Sequence, residues 1–421
     1  MSTMKSNQQL KQVIGKFFDA ADAALVPESD LVSVFQSETW SMHNGAVFKW
    51  TSGFARNLRD LVAGVLKSQG PNKVNEKQIE KIAWDIATSG SKLQGKTLEF
   101  ITSVEGEVTK PYERVDPCFS VVLNGIPRLK IGRVSVENTA KLTVILNKRD
   151  PRWAIEPNKL PGSTFDGSRF VVSLPAAVWK VSVDCFKGNV RDEAAWLIDV
   201  ALSLLRLSIP AKKRVGYFPP FGSTESAPTL PPRTEDHGIT LSTDAASFDG
   251  SSLNGWYEVT NKTFSKKQLQ ELDRIADAVM NSITGTVAER FARGLGWLSR
   301  ARRATDQADR FLYFFTAIES LLTRSDKNAP VTDTICRSAA CILAKTVEAR
   351  VSIAKELSAL YGIRSVLVHS GERSVARVDS KDLQIKVELV FFNVLKKIDL
   401  SKRIDDFHSE LKTASYGGRW P

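Results

Sequence analysis

Leu360-Tyr361-Gly362-Ile363-Arg364-Ser365-Val366-Leu367-Val368-His369-Ser370-Gly371 places an arginine and a histidine, separated by four residues, inside an otherwise apolar stretch. On a helix of about 100° per residue, Ile353, Leu357, Leu360, Ile363 and Leu367 form one apolar stripe, and Arg364 falls in its middle. A charge there needs a way out of the core along its own methylenes, a carboxylate partner, or a function. Gly371 is a natural helix stop just beyond His369.

Upstream lies an aromatic-rich helix, Arg310-Phe311-Leu312-Tyr313-Phe314-Phe315-Thr316-Ala317-Ile318-Glu319-Ser320-Leu321-Leu322, and between the two a small-residue helix, Ile335-Cys336-Arg337-Ser338-Ala339-Ala340-Cys341-Ile342-Leu343. In this order the three elements resemble a HEPN domain, and within that superfamily the ApeA-like branch known from prokaryotic anti-phage defence ribonucleases. Its motif helix reads roughly Tyr-x-x-Arg-Ser-x-x-x-His-Gly. Here those positions are Tyr361, Arg364, Ser365 and His369, with Ser370 intervening before Gly371. The likeness covers about residues 290 to 400 and does not reach the first 260.

The resemblance implies a metal-independent endoribonuclease that needs no cofactor and leaves a 2′,3′-cyclic phosphate and a 5′-hydroxyl. Such cleavage needs a base for the 2′-hydroxyl proton, an acid for the leaving 5′-oxygen, and a cation at the phosphoryl oxygens. Imidazole titrates near neutrality and guanidinium stays charged, so His369 and Arg364 are the candidate catalytic pair. Five residues at about 100° put them about 140° apart, which is awkward for one phosphate. Either the helix distorts near its end, or two copies of the motif meet across a dimer. The family pattern is the second, implying a two-fold homodimer. Supporting roles fall to Ser365, as a donor to phosphate or a partner of its own backbone, to Glu319, as a salt bridge orienting Arg364, and to Tyr361, whose alternative is core packing. Arg300, Arg302, Arg303 and Arg310, with Arg290 and Arg293 nearby, are candidate RNA contacts, as is Arg337; a solvated helix end is the other reading of the run at 300–303.

Composition sets the wider frame. The 421 residues suit two or three domains, and 42% apolar with 25% charged residues is ordinary for a globular protein. A net charge of +11, from 58 Lys and Arg against 47 Asp and Glu, favours polyanionic partners such as RNA. No apolar run of about 18 residues occurs and the N-terminus is polar, so neither a membrane span nor a secretory signal is expected and the location implied is cytoplasmic. Four cysteines without a Cys-x-x-Cys and four scattered histidines, His43, His237, His369 and His408, offer no disulfide framework and no zinc site. Neither Gly-x-Ser-x-Gly nor His-Glu-x-x-His is present.

The fold class expected is α+β. Residues 1–209 form an N-terminal region for sensing or regulation, with helices at Gln9 to Ala24 and Glu76 to Ala87 and an unclear pattern from Trp40 to Trp50, where His43 beside Asn44-Gly45 looks like a turn. Antiparallel strands occupy about 97–185, at Leu98 to Val108, Phe119 to Leu123, Leu129 to Val136, Leu142 to Leu146 and Phe170 to Val183, and a helix runs from Val190 to Leu207. Residues 210–264 are a linker rich in Pro, Gly and Ser. Residues 265–421 open on a capping box, Ser265 to Gln268, and continue as an all-α bundle, with helices at Lys266 to Ile283, Val287 to Ala304, Asp306 to Thr323, Val331 to Ala349, Ser352 to Val368 and Lys381 to Ile398.

The leading reading is a ribonuclease that arrests growth as a toxin or anti-phage effector, gated by an N-terminal region that binds a phage-derived or cellular trigger. One alternative is an inactive HEPN dimer that holds RNA or protein without cutting; it has no need for a titratable His369. Another makes the N-terminal sheet the active part, yet that sheet carries no recognisable acid and base cluster.

Overall fold

The computed structural model describes residues 4, 7–30, 39–70, 73–89, 91–140, 153–157, 162–165, 167–168, 170–208, 238–241, 246–249, 257–260, 264–304, 306–324, 331–371 and 374–420. The class is α+β. Contacts divide the chain into two units, Met1–Arg114 with Ser182–Ala195, and Val115–Val181 with Trp196–Pro421.

The first unit is helical around an aromatic centre. Helices α1 (Gln8–Ala24), α2 (Ser52–Gln69), α3 (Glu76–Ala87) and α4 (Leu93–Val108) surround Phe17, Phe18, Phe48, Phe54, Trp84 and Phe100, and strands β1 (Trp40–His43) and β2 (Ala46–Lys49) form a hairpin beside them. Asn7 and Thr51 accept backbone N–H bonds and start α1 and α2. The hairpin turns on Asn44 and Gly45, both with positive φ (48° and 82°), as a two-residue primed turn requires. Leu98 to Val108, expected as a strand, is the body of α4. Its β-branched and aromatic composition suits a strand, but Phe100, Val104 and Val108 recur every four residues and all are buried, which is helical spacing.

The second unit begins with short strands: β3 (Pro111–Cys118), β4 (Val121–Asn124), β5 (Arg128–Ile131), β6 (Val134–Asn138), β7 (Trp153–Glu156), β8 (Gly162–Phe165), β9 (Phe170–Ser173) and β10 (Ala177–Asp184). A four-stranded sheet has the order β3-β10-β6-β5, and β7-β9-β8 form a second sheet in which β7 and β9 run parallel. Leu129 to Val136 is thus a hairpin rather than one strand, turning at Gly132 (φ +62°); Phe170 to Val183 is likewise broken before Ala177. Leu142 to Leu146 lies outside the described residues. Helix α5 (Val190–Ser208) follows; β3, β10 and α5 each run through both units. Of the linker 210–264, strands β11 (Gly238–Leu241), β12 (Ala246–Asp249) and β13 (Tyr257–Thr260) are described; β13 pairs in parallel with β4.

The bundle comprises α6 (Lys266–Met280), α7 (Val287–Arg303), α8 (Gln307–Leu322), α9 (Val331–Leu343), α10 (Val347–Ser370), α11 (Arg377–Lys397) and α12 (Ile404–Ser415). The capping box at Ser265 and Gln268 is formed. Val331 to Ala349, expected as one helix, ends at Leu343, and Thr346 caps a new one. Arg350 explains the break. Its guanidinium donates to the carbonyls of Ala344, Ala414 and Gly418 at 3.0, 2.8 and 2.9 Å, so one buried cation satisfies the open ends of α9 and α12. Where α7, α8 and α11 meet, a Cβ on Gly294 would lie 2.3 Å from Phe391 Cζ and 2.9 Å from the Ala317 carbonyl oxygen, so only glycine permits that approach.

The expected boundary at 210 therefore does not coincide with the contacts. The hairpin β5-β6 docks on α6, where Asp273 accepts the Gly132 N–H at 2.8 Å and pairs with Lys130 at 3.0 Å. The second half of α5 is tied to the bundle by Asp199, Ser203 and Arg206.

Candidate active site

Helix α10 is regular from the Thr346 cap to Ser370, and Gly371 stops it in the left-handed conformation (φ +70°). Leu357, Leu360, Tyr361 and Leu367 are buried on one face, with Ile353 and Ile363 half-buried beside them. Arg364 lies among them and is not drowned. Its side chain keeps 28% exposure, and its Nη2 sits 3.4 Å from Glu319 Oε1 on α8.

Glu319 holds two groups at once. The Tyr361 hydroxyl donates to the same Oε1 at 2.6 Å, the Arg364 guanidinium lies 5.4 Å from the Tyr361 ring centre, and Phe315 meets that ring edge-on at 5.0 Å. Burial first, and the Glu319 carboxylate second, push the Tyr361 phenol up to about 12, so it stays a hydrogen-bond donor at any working pH. The guanidinium is thereby fixed between a carboxylate and an aromatic face with one side toward solvent. That is the salt bridge anticipated for Glu319, and Tyr361 takes part both in the core and in the cluster.

His369 is exposed in the last turn of α10. Because the helix is undistorted through Ser370, the first escape from the angular problem is closed. Arg364 faces α8 and His369 faces solvent, about 140° round the same helix. Ser365 is half-buried, and its hydroxyl has no hydrogen bond among the described residues; Ser370, by contrast, bonds back to the Val366 carbonyl at 2.7 Å.

The arginines expected to contact RNA separate into two groups. Arg302 is 1% exposed and bonded to Glu388, which is itself fully enclosed and shared with Arg206 at 3.4 Å and Gln384 at 3.0 Å. Arg310 is buried and donates to the carbonyls of Ala304 and Arg302, at 2.7 and 3.3 Å from Nη2. These two are corrected from phosphate contacts to internal struts, since a polynucleotide cannot reach them. Arg303 bonds Asp199; Arg300 lies 3.5 Å from the same carboxylate and over the rings of Trp196 and Trp297, at 4.8 and 5.4 Å. Both keep partial exposure. Arg337 is exposed and pairs with Asp333 on its own helix at 2.8 Å.

Asp199 and Glu388, both buried, carry no local signal in the sequence. Burial alone would raise the Glu388 carboxyl, but the charges of Arg302 and Arg206 and the Gln384 hydrogen bond outweigh it and hold it below the ordinary range. For Asp199 burial prevails, raising it against the pull of Arg303, Ser299 and Arg300. A cavity of about 580 Å³ between α9, α10 and α12 adjoins the cluster through Thr332, yet neither Arg364 nor His369 lines it. Among the described residues no three potential metal ligands gather, and no helix is long and apolar enough to cross a membrane.

No family model, curated protein or solved structure matches this chain. The site therefore has to be judged on its own geometry. It offers an oriented, partly exposed guanidinium and, on the same helix, an exposed imidazole.

Proposed function

We propose that this protein is a metal-independent endoribonuclease of HEPN type, working as a cytoplasmic homodimer. The observation that carries this is the Glu319–Arg364–Tyr361 cluster together with a solvent-facing His369 on the same helix. A guanidinium held in one orientation suits a phosphoryl group, since no side-chain freedom is lost when phosphate arrives. In the reaction the 2′-oxygen attacks phosphorus, the bond to the 5′-oxygen breaks, and protons leave the first and reach the second through His369, while Arg364 and the Ser365 hydroxyl hold the phosphoryl oxygens.

Dimerisation is supported by the solvent face of α10. Val366 and Val368 are each about half exposed, Gly362 nearby leaves nothing within 4 Å of where its Cβ would be, and Val347 and Val351, also half exposed, line the cavity between α9, α10 and α12. A second copy seated on that face would cover the valines and bring its own motif beside His369. Cleavage of cellular RNA on a trigger sensed by the N-terminal region, with growth arrest as the outcome, follows from the likeness to anti-phage effectors.

The alternative is a dimer that holds RNA or protein and cuts nothing. The Arg364–Glu319 pair favours it, because that guanidinium already has its counter-charge. Digestion decides. Purified protein incubated with mixed RNA in EDTA is expected to yield fragments ending in cyclic phosphate, with the activity absent in Arg364→Ala and His369→Ala. Identical fragments from all three proteins, or binding without cutting in the presence of lysate from phage-infected cells, would remove the nuclease reading.

A further inference from the structure

A chamber of about 720 Å³ lies wholly within the unit Met1–Arg114 with Ser182–Ala195, between α2, α3 and the β1-β2 hairpin. One end is aromatic, with Trp40, His43, Trp50 and Trp84 in its lining; Glu76 and Glu80 line it as well. Glu76, Glu80 and Trp84 recur every four positions on α3, so two carboxylates and an indole share one helix face. Neither carboxylate has a side-chain partner among the described residues. The remaining charged group, Arg59, is exposed on α2 and donates its Nε to Ala55 of its own helix at 3.3 Å.

The aromatic end is built rather than accidental. His43 lies flat on Trp84, with centroids 3.7 Å apart and planes 6° from parallel. The Asn44 amide donates to Asp85 at 3.0 Å and Thr88 at 3.2 Å, locking the hairpin turn to α3, and the Trp50 backbone N–H donates to the Thr39 carbonyl at 3.0 Å. Trp40 remains 41% exposed, an unburied indole beside the opening. Its volume is that of a small-molecule site.

We propose that this chamber binds a small organic cation, a flat or methylated ammonium or guanidinium compound. Its positive head would rest against the exposed Trp40 indole, where the ring quadrupole attracts cations, with Glu76 and Glu80 supplying the counter-charge and the His43–Trp84 stack forming the wall. A nucleotide would also stack on indoles, but its phosphates would meet two carboxylates. The surplus negative charge decides between them.

The test uses the full chain and follows tryptophan fluorescence and calorimetric heat on titration with benzyltrimethylammonium, its uncharged counterpart benzyl alcohol, and adenosine monophosphate. The expected result is saturable binding of the cation, at least about tenfold tighter than that of the alcohol, which corresponds to ~1.4 kcal/mol. Trp40→Ala, and separately Glu76→Gln with Glu80→Gln, are expected to weaken it about tenfold with circular dichroism unchanged. Equal affinity for cation and alcohol, preference for the nucleotide, indifference to the paired Gln substitutions, or no saturable binding would each overturn the proposal.

Discussion

Arg302 on α7 and Glu388 on α11 are bonded to each other with 1% and 0% of their side chains exposed, and Arg206 on α5 shares the same carboxylate. Neither cation can be hydrated if the acid is removed. Glu388→Gln is therefore expected to destabilise the unit by about 3–5 kcal/mol, the usual cost of stranding a buried charge. Removing an exposed partner, Asp333→Ala opposite Arg337, is expected to cost about 0.5 kcal/mol or less. Urea unfolding of the two variants checks the contrast; equal midpoints would refute it.

In the proposed ribonuclease Glu319 would act through Arg364, which it pairs at 3.4 Å, rather than by touching RNA, as a positioning residue. Glu319→Gln keeps an acceptor for the Tyr361 hydroxyl and loses the charge that orients the guanidinium. RNA cleavage is expected to fall about tenfold, ~1.4 kcal/mol in the barrier, mainly in kcat, with thermal unfolding little changed. Tyr361→Phe, which leaves the ion pair in place, should fall less. A larger loss in Tyr361→Phe than in Glu319→Gln would mean that packing, not orientation, is what the cluster provides.

His408 supplies a pH dependence whose sign is fixed. It is buried, its Nε2 lies 3.0 Å from the Leu321 carbonyl oxygen, and burial, reinforced by Arg324 and Arg290, lowers its pKa below 6.5 despite that hydrogen bond. Below that pH the unfolded chain takes up a proton that the folded protein refuses. The contribution is thus complete above pH 6.5 and is lost as pH falls, with a slope of at most about 1.4 kcal/mol per pH unit. Urea midpoints between pH 7.5 and 5 should fall less steeply in His408→Gln than in the wild type; parallel curves would exclude this residue as the cause.

How far the sequence could be read depended on whether a residue's partner lay nearby in the chain. The stripe of Leu357, Leu360 and Leu367 and the box at Ser265 and Gln268 are local, and both stand in the structure as expected. Leu98 to Val108 has the composition of a strand but the spacing of a helix: Phe100, Val104 and Val108 are four apart. The arginines of α7 find their partners far away in the chain. Arg302 finds Glu388 at a separation of 86 residues and Arg303 finds Asp199 at 104, and no local pattern distinguishes such an arginine from one facing solvent. Only Arg364, set into an apolar stripe, announced in sequence that it needed a partner. The hairpin from Trp40 to Trp50 was legible just at its Asn44-Gly45 turn, since strands of four residues are too short to show alternation.

The regular course of α10 leads to the most discriminating prediction. If Arg364 and His369 of one subunit cannot meet one phosphate, each site must draw its arginine from one copy and its histidine from the other. Two inactive proteins, Arg364→Ala and His369→Ala, then complement each other when mixed and allowed to exchange subunits. In a mixed dimer one site has lost both groups and the other has kept both. Random exchange makes half of the dimers mixed, so activity should return to about a quarter of the wild type. The exposed valines near the end of α10 give the control: Val366→Glu in both partners should yield monomers by size exclusion and abolish the recovery. A site assembled within one subunit leaves every mixture dead, because each subunit then carries its own defect. Activity in the mixture therefore reports directly whether the histidine of one chain works on a phosphate held by the arginine of another.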